Sequence, residues 1–506
     1  MNQISAKDFR SLKDFDHFES PNLQYYLLPF RFHKINQEKE VLVNEVGDFL
    51  ITPLGTSTKI AQKKISRNDP LYADLVANYF ISEQPLPSLI DVLATRYRTK
   101  KSFLENFTAL HIFVISLRCN HSCHYCQVSR VTENRHDFDV SFANLKAGVD
   151  HMFKSPSPSI TMEFQGGEPL LAFDKVKFAV EYALELNKSF HKEITIVICT
   201  NSTVFNNDIL DFCETYNILI STSLDGPPFI HNANRPKTGQ DSYSQVVEGI
   251  KLAREALGFD KVSALMTTTS LSLNYPKEII DNFIENGFNS IFLRPISPYG
   301  FALKNTGKNF YETEMFLEFY KKGLEYIIKL NQKGQFFKEE FTSIVLKKIL
   351  TPFSTNYVDL QSPSGMINSV IVFNYDGFVY ATDESRMIAE NGDFTFRLGH
   401  VSDDYHKLFY GEKSHYFSQF WSNESLAGCS DCGFQTFCGA DPVFNYATQG
   451  DLAGYRPTSD FCLKNMEIFR YIFDLMDKNG PEVLPIFYSW LLNEPTSEHG
   501  YDSIKN

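Results

Sequence analysis

Seven of the nine cysteines fall into two groups about 300 residues apart. Cys119, Cys123 and Cys126 are spaced C-x3-C-x2-C, and Cys429, Cys432 and Cys438, spaced C-x2-C-x5-C, precede Cys462. Three thiolates on one short loop can bind three irons of a [4Fe–4S] cluster and leave the fourth without a protein ligand. That open iron could take a small bidentate molecule and pass it an electron. The same loop also admits zinc, which wants four closing ligands, with His121 or His124 as the fourth. The second group offers four thiolates, suited equally to zinc or to another iron–sulfur cluster. Nine cysteines in 506 residues is too sparse for a disulfide scaffold, and an odd count fits poorly with full pairing. Cys199 and Cys213 stand alone and read as small buried residues.

Apolar runs of strand length occur at 110–116, 160–164, 194–199, 218–224, 262–267 and 290–293. Between them lie helical patterns, among them 174–186 and 243–257, the latter preceded by Ser242 with Gln245 as a capping box. Six strands alternating with helices imply a buried parallel sheet. Six units are too few for an eight-fold barrel, so the expected fold is α/β, a partial (β/α)6 barrel. The first cysteine loop follows the first strand, at the end where such barrels place active sites.

Ahead of the barrel, residues 1–105 read as an α+β module. Strand patterns in YYLLPFRFHKI and EVLVNEVGDFLIT, with a turn at Gly47, lead to helices at 70–81 and 86–97, the second with Leu89, Val92, Leu93 and Tyr97 on one face. The barrel occupies 106–310, a helical connector 311–355, and a cysteine-rich domain 356–478. That domain opens with a hairpin turning at Asn374–Gly377 and closes with a helix over 465–476. Residues 479–506 are expected to be a tail, disordered after Glu494.

Composition narrows the function classes. Forty-eight Lys and Arg against 61 Asp and Glu give a net charge of −13, which repels a phosphate backbone and argues against nucleic acid as a partner. The opening MNQISAKDFRSLKDFDHF has no apolar h-region, and no window approaches the ~18 apolar residues of a membrane span. A soluble, cytoplasmic protein is expected, with no membrane partner; its oligomeric state is not legible in the sequence.

The motif C-x3-C-x-aromatic-C after the first barrel strand, with Tyr125 as the aromatic residue, resembles the radical S-adenosylmethionine (SAM) superfamily. There the SAM amino and carboxylate groups chelate the open iron, and reductive cleavage gives methionine and a 5′-deoxyadenosyl radical. Gly166-Gly167-Glu168-Pro169 follows the second strand and looks like that family's GGEP motif, whose glycines let backbone approach the ligand and whose carboxylate pairs with the methionine ammonium. Thr200-Asn201 and Ser223-Leu224-Asp225 end the third and fourth strands and resemble its polar strand ends, while Arg235 resembles the arginine that pairs with the SAM carboxylate.

Downstream, Cys429, Cys432, Cys438 and Cys462 resemble the SPASM extension, which binds auxiliary [4Fe–4S] clusters in peptide-modifying members. Pro442 and Thr382 stand where cysteines of that pattern belong, with Ser362 or Ser364 near a third. The resemblance therefore implies one auxiliary cluster, fully ligated by the four cysteines, and two [4Fe–4S] clusters in all. Asp383 matches the place where sulfatase maturases carry an acid–base aspartate.

Leu28-Pro-Phe-Arg-Phe32, Val43-Asn-Glu-Val-Gly47, Cys126-Gln-Val-Ser-Arg130, Cys438-Gly-Ala-Asp-Pro442 and Ala447-Thr-Gln-Gly-Asp451 resemble the His-Xaa-Ser system radical SAM maturases. That resemblance implies a ribosomally synthesised precursor peptide as substrate and an external one-electron reductant of flavodoxin or ferredoxin type. It also implies C–C crosslinking between side chains, of cyclophane type: abstraction of hydrogen from a Cβ atom, attack on an aromatic ring, then loss of an electron and a proton. Residues 1–105 would bind the leader by strand addition or cap the barrel. Two other readings are a formylglycine-forming sulfatase maturase and a non-enzymatic zinc scaffold.

Overall fold

The computed structural model describes residues 25–84, 87–304, 309–355 and 357–495. They form two units: the smaller runs to Lys100 and includes Asp431–Thr436, and the larger comprises Lys101–Ser430 and the residues from Phe437 onward.

In the smaller unit, Phe30–Lys34 (β1), Lys39–Asn44 (β2) and Phe49–Pro53 (β3) make an antiparallel sheet. The β2–β3 turn is set by Gly47 at φ +85° and by the Asn44 side chain, which accepts from the amides of Val46 and Asp48. Leu42 joins Tyr25, Ile60, Leu75 and Phe80 in a local core. The expected helix over 70–81 spans only Tyr72–Ala77, because the backbone reverses at Tyr79 (φ +58°) so that Ile81–Ser82 can pair with Tyr26–Leu27. The next helix, Pro87–Lys100 (α1), buries Leu93, with Leu89 and Tyr97 partly covered, but Val92 points outward at 42% exposure.

The larger unit is built on Leu110–Ser116 (β4), Ser159–Gly166 (β5), Glu193–Cys199 (β6), Leu219–Ser223 (β7) and Val262–Leu265 (β8), all parallel in the order β8-β7-β6-β5-β4. The main helix of each connection is in turn Phe142–Phe153 (α2), Phe173–Phe190 (α3), Asn207–Thr215 (α4) and Ser242–Leu257 (α5). Strand alternation divides the residues between two faces. Ile160, Met162 and Phe164 of β5 share a core with Val176, Ala179, Val180 and Ala183 of α3. The capping box expected at Ser242 does not form. Asp241 caps α5 by accepting from the Ser244 amide, and the Ser242 hydroxyl instead meets His121 and His231.

The sixth strand departs most from expectation. Only Ser290–Ile291 (β9) is extended, and it pairs in parallel with Lys338–Glu339 (β10) rather than joining the main sheet. Pro295 and Pro298 follow at once, and a residue without an N–H cannot extend a ladder. One backbone bond, from Thr268 N–H to the Arg294 carbonyl (2.9 Å), still ties this segment to the residues beyond β8. At the opposite edge Val370–Phe373 (β11) adds in parallel to β4. The hairpin with Phe378–Tyr380 (β12) and then Arg397–His400 (β13) completes an eight-stranded mixed sheet.

The connector consists of Thr313–Gln332 (α6) and Glu340–Leu350 (α7). Asp383–Ala389 (α8) and Pro442–Gln449 (α9) follow, and then Asp460–Leu492 (α10), which is non-helical only at Asn479. The segment beyond 478 is thus no tail: Val483, Ile486, Phe487 and Trp490 of α10 are buried. Residues 496–506, where disorder is expected, lie outside the described residues. Among the described residues no helix is long and apolar enough to cross a membrane.

Glu339 holds the connector to the barrel. Fully buried, it accepts from the amides of Leu293 and Thr342 and from the hydroxyls of Thr342 and Tyr320. Burial raises its carboxyl from the ordinary 4.5 to about 7. A carboxyl raised on folding adds stability that is complete below its unfolded value and is lost as pH rises through its folded one. Urea unfolding should therefore show the protein less stable at about pH 8 than at about pH 6. Glu339→Gln should flatten that dependence while costing about 1–3 kcal/mol at the lower pH, since an amide cannot accept from all four donors.

Candidate active site

The first two strands are clamped together where the cysteine loop begins. Gly166 adopts φ +145°, and a Cβ there would lie 2.1 Å from the Ser116 carbonyl oxygen. At Gly167 a Cβ would lie 2.3 Å from the Arg118 oxygen and 2.5 Å from that of Leu117. The Gly167 and Glu168 amides donate to Ser116 and Arg118 at 2.8 and 2.7 Å. The close approach these glycines allow is therefore to the cysteine loop's own backbone. Pro169 continues into a 3-10 turn and is buried.

Glu168 is fully buried. Its carboxylate accepts from the Leu170 amide (3.1 Å), the Thr200 hydroxyl (2.8 Å) and the Asn201 amide (2.8 Å), tying the ends of β5 and β6. Burial outweighs these bonds and pushes its carboxyl up to about 7. Thus the carboxylate expected to meet an ammonium sits behind the cavity wall, engaged with backbone.

The cysteine loop is held from several sides. Arg118 pairs bidentately with Asp139 (2.7 and 2.9 Å) and donates to the carbonyls of Glu133 and Leu171. The Ser122 amide donates to Pro236, and the Cys126 carbonyl accepts from Phe301. Both imidazoles that might complete a zinc site are occupied: His121 bonds Ser242 (2.7 Å) and Asn120, and His124 bonds Asn309. Burial, then Arg235 and Lys237, hold His121 down to about 3, so it is neutral.

Cys119, Cys123 and Cys126 line one cavity with Tyr125, Gly166, Gly167, Asn201, Ser223, Arg235 and Asp383. Its empty volume, open mouth included, is about 1050 Å³. Burial pushes the Cys123 thiol up to about 12, against the nearby Arg235, and burial, then the neighbouring Cys123 and Glu168, raises the Cys119 thiol well above its ordinary value. Such desolvated thiols ionise readily only when a cation takes the charge. The Asn201 amide faces the Cys119 sulfur at 3.9 Å.

Arg235 enters the cavity wall already paired. It makes two bonds to Asp225 (3.0 and 3.2 Å), and Asp225 also accepts from the Tyr125 hydroxyl (2.6 Å) and the Thr267 amide. Burial would raise the Asp225 carboxyl, but Arg235 and His231 prevail and hold it below the ordinary range. Asp225, expected at the ligand, instead fixes Tyr125 and Arg235, which line the cavity. Asp383 stands in the first turn of α8 behind its Thr382 cap and meets Arg386 at 3.4 Å.

Sequence reasoning missed Cys199, which lines the same cavity beside Ser221. Burial, then Glu163, pushes its thiol well above the ordinary range. Alternation was the available signal: Ile196 and Ile198 face the helices, so Val197 and Cys199 face inward. Cys213 is buried in α4, as expected. Arg294, at the end of the sixth strand segment, also lines the cavity.

The second cysteine group is divided by the fold. Cys429, Cys438 and Cys462 belong to the larger unit and Cys432 to the smaller. Cys462 lies in the first turn of α10, its amide donating to the Ser459 cap; burial, then Cys438 and Cys429, pushes its thiol up to about 11. Ser362, Thr382 and Pro442, three of the residues expected at or near vacant cysteine positions, have structural roles. Ser362 donates to Glu424 (2.6 Å), Thr382 caps α8, and Pro442 starts α9.

Three thiols on one cavity, with both nearby imidazoles engaged elsewhere, fit three ligands to an iron–sulfur cluster better than a closed zinc site. The family model of the Radical SAM superfamily matches residues 113–285, from β4 into the helix after β8. A cysteine-type anaerobic sulfatase-maturating enzyme of Clostridium perfringens (strain 13 / Type A) is 25% identical over 375 residues, 70% of this chain and 93% of that protein. The structure of native anSMEcpe with bound AdoMet superposes with a TM-score of 0.60 at 20% identity, covering 75% of this chain and 99% of that one. Streptococcus suis SuiB bound to precursor peptide SuiA gives 0.50 at 14% identity, covering 87% and 99%. Residues 113–285 of this chain form a radical SAM domain. The chain is a radical SAM enzyme whose cofactors include SAM and a [4Fe–4S] cluster.

Gly167→Ala tests the clamp. The added methyl meets two backbone oxygens that cannot swing aside, so a loss of about 1–3 kcal/mol is expected. Thermal unfolding of the apoprotein, with iron retention after gel filtration, would read the effect.

Proposed function

We propose that this protein modifies a ribosomally synthesised precursor peptide by radical chemistry, with crosslinking between side chains as the bond-forming step. The observation that carries the reading is the single cavity shared by the cysteine loop, the polar strand ends and Asp383. Similarity in fold to SuiB with its precursor peptide supports a peptide substrate.

In this reading Cys119, Cys123 and Cys126 hold the SAM-binding cluster. Tyr125, Gly166, Gly167, Asn201, Ser223 and Arg235 surround SAM, while Glu168, Pro169 and Asp225 position that wall from behind. When bound, cluster and SAM supply a carbon-centred radical able to take hydrogen from an unactivated C–H bond. The Asp225–Arg235–Tyr125 network keeps a fixed positive charge at the wall, suited to a carboxylate. Asp383 is available to take a proton from a substrate facing it.

Cys429, Cys432, Cys438 and Cys462 hold one auxiliary [4Fe–4S] cluster, closed to substrate and suited to electron return. The donor for the first cluster is a flavodoxin- or ferredoxin-type protein. In the smaller unit, Gly433 packs on the Phe32 backbone of β1, so β3 is the edge on which a leader strand would add.

Similarity to the sulfatase maturase over 70% of this chain favours a second reading, formylglycine formation. Product analysis separates the two. Crosslinking removes a pair of hydrogens and keeps every side-chain heteroatom, whereas formylglycine formation turns Cys or Ser into an aldehyde that hydrazides capture. Anaerobic reconstitution should yield about eight iron and eight sulfide per protein molecule, falling to about four of each in Cys432→Ala. Four in the unaltered protein would remove the auxiliary cluster from the reading.

A further inference from the structure

Beside the cysteine-lined cavity lies a second one of about 680 Å³ empty volume. The two share a wall: Arg294 lines both, and Asp383 of the first is followed in α8 by Glu384 of the second. Asp359, Glu384 and Asp441 bring three carboxylates to this cavity, against the two cations Arg294 and Lys464.

Lys464 acts on Asp359 and Asp441 at longer range than a direct ion pair. Among the described residues no ion pair within 4.0 Å joins any of the three carboxylates to either cation. Lys464 instead stands over the rings of Phe461 and Phe341, 5.5 and 5.7 Å from their centroids. Asp359 accepts the Tyr357 hydroxyl at 2.8 Å, and Asp441 caps α9 by accepting the Phe444 amide at 2.9 Å.

Tyr299 supplies an independent sign that something is missing. Only 2% exposed, it lines the cavity near all three carboxylates, yet its hydroxyl has no hydrogen-bond partner. A buried hydroxyl left unpaired costs about 1–3 kcal/mol. A group carrying hydrogen-bond donors and positive charge would satisfy the hydroxyl and the carboxylates together. The aromatic walls, Phe341 and Phe461 among them, suit an organic cation.

We propose that this cavity receives a protonated side chain of the substrate, an ammonium, guanidinium or imidazolium, from a residue near the one that reacts. The inference rests on the peptide reading for the identity of its ligand, but the site can be tested without turnover. Entry of the cation pairs the excess carboxylate and gives Tyr299 a donor. It also sets which neighbouring residue reaches the first cavity.

The test is calorimetric titration of the reconstituted full-length protein with n-butylammonium, with butyrate and n-butanol as isosteres. Saturable binding of the ammonium alone is expected. Asp441→Asn should weaken it about tenfold, a loss of about 1.4 kcal/mol; Asn caps helices as well as Asp, so α9 should be preserved. Glu384→Gln should act in the same direction, and Lys464→Met should tighten binding. Absence of saturable binding overturns the proposal, as does unchanged affinity in folded Asp441→Asn and Glu384→Gln. A protein that binds the probe but modifies no peptide keeps the site and loses the peptide reading; one that modifies peptides and ignores the probe loses the site.

Discussion

The seam between β4 and β5 is the constraint on which the site depends. Two consecutive residues without side chains let the end of β5 lie against the carbonyls of Ser116, Leu117 and Arg118. From that contact Glu168 reaches sideways to the end of β6, and Arg118 reaches outward to Asp139. The cysteine loop is thereby launched from three anchored strand ends rather than from a free connection. Such preorganisation matters because ligand atoms must be placed within fractions of an ångström before chemistry begins.

Electrostatics divides the cavity into parts. Near the cysteines, the buried Asp225–Arg235 pair leaves Arg235 at the wall with its counterion behind it. A buried pair of this kind adds little net stability, so its value lies in holding the guanidinium and Tyr125 at one orientation. Toward Arg294 the balance turns acidic, with Asp383 and, beyond the shared wall, Glu384, Asp441 and Asp359.

Much of this was legible in the sequence because period and spacing are local properties. The five sheet strands, their helices and the hairpin at Asn374–Gly377 follow from alternation, apolar periodicity and a turn glycine. What was not legible depended on partners distant in sequence. Ser242 looked like a cap, but His121 and His231 claim its hydroxyl. Glu168 looked free to meet a ligand, but three donors from two strands bind it. The helix over 465–476 was expected to end before a tail, yet buried Val483, Phe487 and Trp490 carry α10 on to Leu492. Cys199 was visible by alternation and was passed over because a lone cysteine is usually inert packing.

The central claim is that Cys119, Cys123 and Cys126 build a reducing centre that acts on SAM. Its most direct test is 5′-deoxyadenosine formation by the anaerobically reconstituted protein with dithionite and SAM, measured by chromatography beside Cys123→Ala. The account predicts 5′-deoxyadenosine and methionine from the unaltered protein and none above background from the variant. Intact SAM in the presence of a full iron complement, or equal cleavage by both proteins, would contradict it.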